Sequence, residues 1–237
     1  MVECQTPLAD LLKSCSGIDQ IVASGQPLPH YDWHISLMSL PDIFQTTLET
    51  IPSEVPYLGP RHPIKRTPGK RLRVGLVWAG NPKQQRDRMR SCPFEELLPL
   101  LATEGIQWVC LQKEIPLSDR GPVETCSHLE RLSLDDFAAT ADQVSDLDLV
   151  VSVDTSVAHL AGAMNAPVWI LLARASDWRW LLDRDDSPWY PSARLFRQRQ
   201  AGDWKEVVHR VSEELRKRVV SDEWRGGARS QYSAVIT

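Results

Sequence analysis

A chain of 237 residues, 42% hydrophobic and 24% charged, is long enough for one sizeable core, and a formal net charge of −4 gives no reason to expect nucleic acid or an anionic membrane as a general partner. No apolar run approaches the roughly 20 residues that span a bilayer, and Met1-Val2-Glu3-Cys4-Gln5 lacks the layout of a signal peptide, so no stable membrane insertion is expected and the expected location is cytoplasmic. Cys4, Cys15, Cys92, Cys110 and Cys126 are odd in number and form no C-x-x-C pair, which points to reduced thiols rather than a disulfide framework or a zinc site.

Residues 1–57 are mixed. Leu8, Leu11, Leu12 and Cys15 have helical spacing, with Gly17 as a stop. Short strands are expected over 18–22 and 35–40, punctuated by Pro27, Pro29 and Pro41. Residues 52–70 carry Pro52, Pro56, Pro60, Pro63 and Pro68 with basic residues between them. Such a run resists regular structure and reads as an interdomain linker, with a boundary near Arg66.

Beyond it the pattern becomes strand, loop, helix, repeated. Apolar runs over 72–78, 107–111, 147–153 and 168–172 read as buried strands. Ser91-Cys92-Pro93 with Glu95 and Glu96 opens a helix that ends before Gly105. Ser133-Leu134-Asp135-Asp136 resembles a capping box for a helix closing near Val144, and Thr155 or Ser156 can cap one running through Ala163. A last helix is expected over 204–219, and the polar, Gly-containing stretch 221–237 is expected to fray. Alternating strands and helices imply βαβ units, a parallel sheet and the α/β class.

In such a sheet, ligands bind beyond the carboxyl ends of the strands, near a switch in strand order. The residues placed there are Ala79-Gly80-Asn81-Pro82-Lys83, then Gln112-Lys113, then Asp154-Thr155-Ser156, then Arg174 onward. In 151–162 a buried strand feeds a helix whose first turn offers free amides, an anion site suited to a diphosphate. His159 follows Thr155 by about one turn, so both can face one ligand; equally, Thr155 can serve only as a cap and His159 as a satisfied core histidine. Gly80 permits close approach to the backbone, and Arg88 and Arg90 precede a helix N-terminus where a cation strengthens phosphate binding, unless this stretch is a solvated charged loop. Trp178, Trp180, Trp189 and Tyr190 can stack on a base or sugar, or seal their loop against the sheet. Asp183-Arg184-Asp185 matches a metal-binding D-x-D only superficially, and no metal is expected. The lack of G-x-G-x-x-G after the first strand argues against NAD or FAD.

GLVWAGNPK with RMRSCPFEEL, then WVCLQK, VVSVDTSVAHLAGAMNAPVWILL and DWRWLLDRDDSPWYPSARLFRQ resemble one group of bacterial proteins. These carry tetratricopeptide repeats ahead of a glycosyltransferase region similar to the ADP-heptose:lipopolysaccharide heptosyltransferase family (family 9). The resemblance covers roughly residues 1–218, including PHYDWHISLMSLP. It implies a GT-B fold, with residues 1–65 as a remnant of the first domain plus linker and 66–220 as the Rossmann-like C-terminal domain that holds the donor. It further implies that Asp154, Thr155, Ser156 and His159 match the donor-phosphate motif D-T-G-x-x-H, that Arg90 lies near the diphosphate, and that Gln112 lies near the nucleoside. Ser156 replaces the glycine usual in heptosyltransferases. The implied activity is inverting, metal-independent transfer of a sugar from a nucleotide-diphosphate sugar to a glycan, lipid-linked or protein acceptor. The opening loop of the first domain and its catalytic acid have no counterpart, so the chain reads as N-terminally truncated. A non-catalytic nucleotide-sugar-binding module is the alternative. Residues 1–57 are expected to pack against the second domain or to expose an apolar surface favouring a homodimer.

Overall fold

The computed structural model describes residues 1–64, 71–84 and 87–221; the boundary near Arg66 and the stretch 222–237 lie outside the described residues. The N-terminal part opens with strand β1 (Val2–Cys4), a 3-10 turn at Thr6–Leu8, helix α1 (Ala9–Leu12) and strand β2 (Ile21–Ala23). β1 and β2 pair in parallel, from Val2 opposite Ile21 to Cys4 opposite Ala23. Gly17 takes φ of 81°, a left-handed conformation that glycine adopts without steric cost. The strand expected at 35–40 is instead a 3-10 turn at Leu37–Ser39 running into helix α2 (Leu40–Ile43). Ser36 there accepts a hydrogen bond from the Met38 amide, and Pro41 sits in the first turn, where a missing N–H costs nothing.

Residues 71–221 supply strand β3 (Leu72–Val77), helix α3 (Asp87–Arg90), a 3-10 turn at Phe94–Leu97 leading into α4 (Leu98–Leu101), and β4 (Ile106–Cys110). Then follow α5 (Arg120–Thr125), β5 (Leu129–Arg131), α6 (Phe137–Val144), β6 (Leu149–Val153) and α7 (Ser156–Ala163). The chain continues through β7 (Val168–Leu172), β8 (Ala193–Arg197) and α8 (Trp204–Ser221). Six strands, β3 to β8, form one all-parallel sheet in the order β5-β4-β3-β6-β7-β8. The fold is α/β with a Rossmann-like sheet, and its strand order reverses between β3 and β6.

A parallel sheet is covered on both faces, so its central strands must be apolar throughout. Every residue of β6 and β7 is buried. Leu72, Val74 and Leu76 join Phe94, Leu100, Val211 and Leu215 in one layer, beneath α4 and α8. Val77, Val150, Ile170 and Leu172 face the other, with Ala141, Ala158 and Ala161 of α6 and α7. The cap of α6 corrects the expected box: Asp136, not Ser133, accepts from the Ala139 amide at 2.7 Å, while Ser133 donates to Asp135.

The N-terminal part docks on the face of α6 and α7. Leu11 is buried in that layer. The amides of Tyr57 and Leu58 both donate to the Ala163 carbonyl (3.0 and 3.3 Å), and the His62 amide donates to Asp142 at 2.7 Å. Residues 28–48 remain open to solvent, with Trp33 91% exposed.

Candidate functional site

Parallel strands end at the same edge, so the loops after β3 and β6 meet where the strand order reverses. Arg90 ties them together, its Nη1 donating to the Asp154 carbonyl at 3.0 Å. Between them lies a pocket of about 330 Å³. Gln84, Met89 and Arg90 line one side, Asp154, Thr155, Ser156 and His159 a second, and residues 173–179, including Asp177 and Arg179, a third.

The first turn of α7 supplies positive potential. Thr155 is its N-cap residue, with extended backbone (φ −138°, ψ 168°), yet its side chain caps nothing. Thr155 Oγ1 lies 3.0 Å from Ser152 Oγ, whose own proton goes to the Val153 carbonyl, so Thr155 donates to Ser152. The Thr155 carbonyl accepts from the Ala158 and His159 amides, while the amides of Ser156 and Val157 find no acceptor among the described residues. Two open amides on a helix dipole of about half a charge make a site for an anion.

Arg90 is held for that site. Its Nε donates to Asp87 at 3.1 Å, and its guanidinium and the Asp87 carboxylate lie where a Cβ on Gly80 would be. Gly80 leaves room there for the Arg90–Asp87 pair rather than for a ligand. Arg88 and Arg90 precede the helical segment at Phe94, as expected, and themselves form a short helical turn, α3. Arg88 is exposed and lines no pocket wall.

Three further expected residues are absent from the pocket. Gln112 spends its amide on backbone: Oε1 accepts from the Trp78 and Ala79 amides (3.2 and 3.0 Å), and Nε2 donates to the Ala79 and Glu114 carbonyls (3.0 Å each). It clamps the ends of β3 and β4 together, with its hydrogen-bonding capacity consumed there. Asn81 closes a local turn by accepting from the Lys83 amide at 2.9 Å, and both are exposed.

His159 is neither free nor fully buried. Its ring stacks on Trp180 (centroids 5.1 Å apart, 18° between planes), Nδ1 lies 3.0 Å from Tyr190 Oη, and Nε2 lies 3.8 Å from Asp154 Oδ1. Burial draws its pKa below the ordinary imidazole value; Asp154 opposes that, Arg179 adds to it, and Asp177 opposes it. The ring is therefore a neutral donor or acceptor near neutral pH. Asp177 is pushed up by burial, but hydrogen bonds from the Arg179 amide and guanidinium outweigh this and hold it below the carboxylate norm.

The tryptophan loop divides. Trp180 is fully buried, and Trp189 Nε1 donates to the Arg179 carbonyl at 3.1 Å, so both seal the loop. Trp178 is 59% exposed, with the Arg179 guanidinium 4.6 Å above its ring. Arg179 is a pocket residue beyond those the motifs named; its signal is the D-W-R-W segment just after a buried strand. Among the described residues no cluster of three or more His, Cys, Asp or Glu could hold a metal ion, and no helix is long and apolar enough to cross a membrane.

No family model matches the sequence. The chain is similar to the protein FlbA of Caulobacter vibrioides, at 32% identity over 153 residues, covering 61% of this chain and 25% of that protein. It thus spans about a quarter of that relative. Among solved structures it is similar to the E. coli heptosyltransferase WaaC with ADP, at 20% identity and a TM-score of 0.48, covering 62% of this chain and 44% of that one. It is also similar to E. coli ADP-heptose LPS heptosyltransferase II (19%, TM-score 0.45, covering 66% and 49%). A third is the C-terminal domain of a group 1 family glycosyl transferase, LpcC, from Francisella tularensis (14%, TM-score 0.43, covering 69% and 87%).

Proposed function

We propose that the pocket binds the diphosphate of a nucleotide sugar, and that the protein belongs to a sugar-transfer system as its donor-binding part. The observation that carries this reading is the convergence, at the reversal of strand order, of two open α7 amides with Arg90, Arg179 and His159 around one pocket of about 330 Å³. Charge sorts the candidates. A diphosphate would gain two cations and a helix N-terminus, set against the carboxylates of Asp87, Asp154 and Asp177, so the open amides of α7 are an essential part of the attraction. In a transfer reaction the same groups stabilise the departing diphosphate, because negative charge grows on it as the glycosidic bond breaks. The acceptor hydroxyl would attack from the opposite face of the sugar, with inversion.

The test is calorimetric titration of the full chain with ADP, UDP, GDP and their sugar conjugates. One nucleotide should bind in the micromolar range, and His159→Ala should weaken it by about tenfold, the worth of one hydrogen bond to a charged group. A wild-type protein that binds none of them would sink the reading.

A second reading, binding without turnover, is favoured by one observation. Of the two carboxylates among the described lining residues, Asp177 is bound by the Arg179 guanidinium at 2.9 Å, so it does not stand free as a base. Binding of a nucleotide sugar that stays intact with every acceptor offered would select that reading.

A further inference from the structure

The pocket histidine is gripped from behind by a tyrosine hydroxyl. Tyr190 Oη lies 3.0 Å from His159 Nδ1. Tyr190 is itself fixed against α7: a Cβ on Gly162 would overlap its ring, so this helix position must be glycine for the tyrosine to lie there. Trp180 and Tyr190 together clasp the imidazole, one stacked at 5.1 Å and the other edge-on at 5.7 Å. The amides of Tyr57 and Leu58 hold the Ala163 carbonyl at the far end of the same helix.

The ring nitrogens then divide their work. Nε2 is 3.8 Å from the Asp154 carboxylate, beyond hydrogen-bond reach. The field of that carboxylate nevertheless favours a proton on Nε2, leaving Nδ1 to accept from Tyr190. With Nδ1 accepting from Tyr190, Nε2–H is left as the ring's donor.

We propose that Tyr190 is a positioning residue of the pocket, which holds the His159 ring with Nε2–H presented to an anionic ligand oxygen. The proposal rests on the reading of the pocket as a diphosphate site. Asp154, Asp177 and Arg179 also face the ring, and none of them contacts Nδ1.

The test uses the full chain with nitrogen-15-labelled histidine, the His159 signals being assigned by their loss in His159→Gln. The wild-type ring should show the Nε2–H tautomer with Nδ1 in the range of a hydrogen-bonded acceptor. In Tyr190→Phe the Nδ1 signal should move to that of an unbonded imine nitrogen, and affinity for ADP and for inorganic pyrophosphate should fall about three- to tenfold, one neutral hydrogen bond's worth. An unchanged Nδ1 signal in a folded Tyr190→Phe protein overturns the proposal; if that variant fails to fold, a wild-type Nδ1 signal at the position of an unbonded imine nitrogen does so. The spectra need no ligand. A wild-type protein that binds neither probe would therefore remove the donor-site reading, while the spectra would still decide whether the tyrosine holds the ring.

Discussion

Residues 1–64 and residues 71–221 bury their apolar side chains very differently. Among the described residues of the first region only Leu11 and Val22 count as buried hydrophobics, while Leu28, Tyr31, Trp33, Ile35, Leu37, Met38, Ile43, Phe44 and Leu48 stand exposed. In the second, whole strands vanish into two core layers. The difference follows from layer geometry. A six-stranded sheet gives helices two faces to cover, whereas the two-stranded pairing of β1 with β2 offers no such face, and its neighbours are one-turn helices. Function follows the same division. The pocket is built by the region that has a core, because side chains hold a fixed geometry only when packing locks their rotamers. Among the described residues, none of the N-terminal region lines it.

The largest effect that tests this division is expected in the core. Leu215 on α8 is fully buried in the layer beneath the sheet. Leu215→Ala should cost about 2–5 kcal/mol, from lost transfer energy and the cavity left behind. Chemical denaturation of the full chain measures it. A loss below about 1 kcal/mol would mean that the layer collapses readily around the gap and is less rigid than its burial implies.

The contrast also explains what could be read from sequence. β3, β4, β6 and β7 were legible because a strand covered on both faces must be apolar at nearly every position. β5 (Leu-Glu-Arg) and β8 (Ala-Arg-Leu-Phe-Arg) lie at the sheet edges, where one side of each tolerates charge, and they escaped notice. Residues 35–40 have the apolar content of a strand but no partner, so local capping by Ser36 decided their conformation. In the site, Arg90, Asp154, Ser156 and His159 were placed by the rule that ligands meet the carboxyl ends of parallel strands. That rule gives positions and not rotamers. It could not reveal that the Thr155 hydroxyl turns back to Ser152 or that Gln112 is consumed by backbone.

A smaller effect should appear with pH, and it belongs to the pocket. Burial lowers the His159 pKa in the folded state relative to the unfolded value of about 6.5. Below that value the unfolded chain takes up a proton that the folded chain resists, so stability is present above about pH 6.5 and falls as pH drops toward the folded pKa. A single group contributes at most about 1.4 kcal/mol per pH unit, and with 35% of this side chain open to solvent the effect should be a fraction of that. Denaturation midpoints at pH 7.5 and 5.0 should differ less in His159→Gln than in wild type. Equal pH dependence in the two proteins would show that the ring titrates as though in water, and that Trp180 and Tyr190 do not shield it.

The smallest effect is expected at Trp33, and it tests the other half of the comparison. The side chain is 91% exposed, and its only aromatic neighbourhood is the edge contact between Tyr31 and His34 beside it. Burial of a tryptophan is worth several kcal/mol, but an exposed one has almost nothing to lose on truncation, so Trp33→Ser should change stability by less than about 0.5 kcal/mol. The measurement is best made at two protein concentrations a hundredfold apart. If the wild type gains stability with concentration and Trp33→Ser does not, the exposed run is covered in solution by a second copy, and the poverty of core in residues 1–64 describes only the isolated chain. If the variant matches wild type at both concentrations, the division stands: this region is held by Leu11 and by the bonds to Ala163 and Asp142, and its apolar surface contributes nothing to the fold of the single chain.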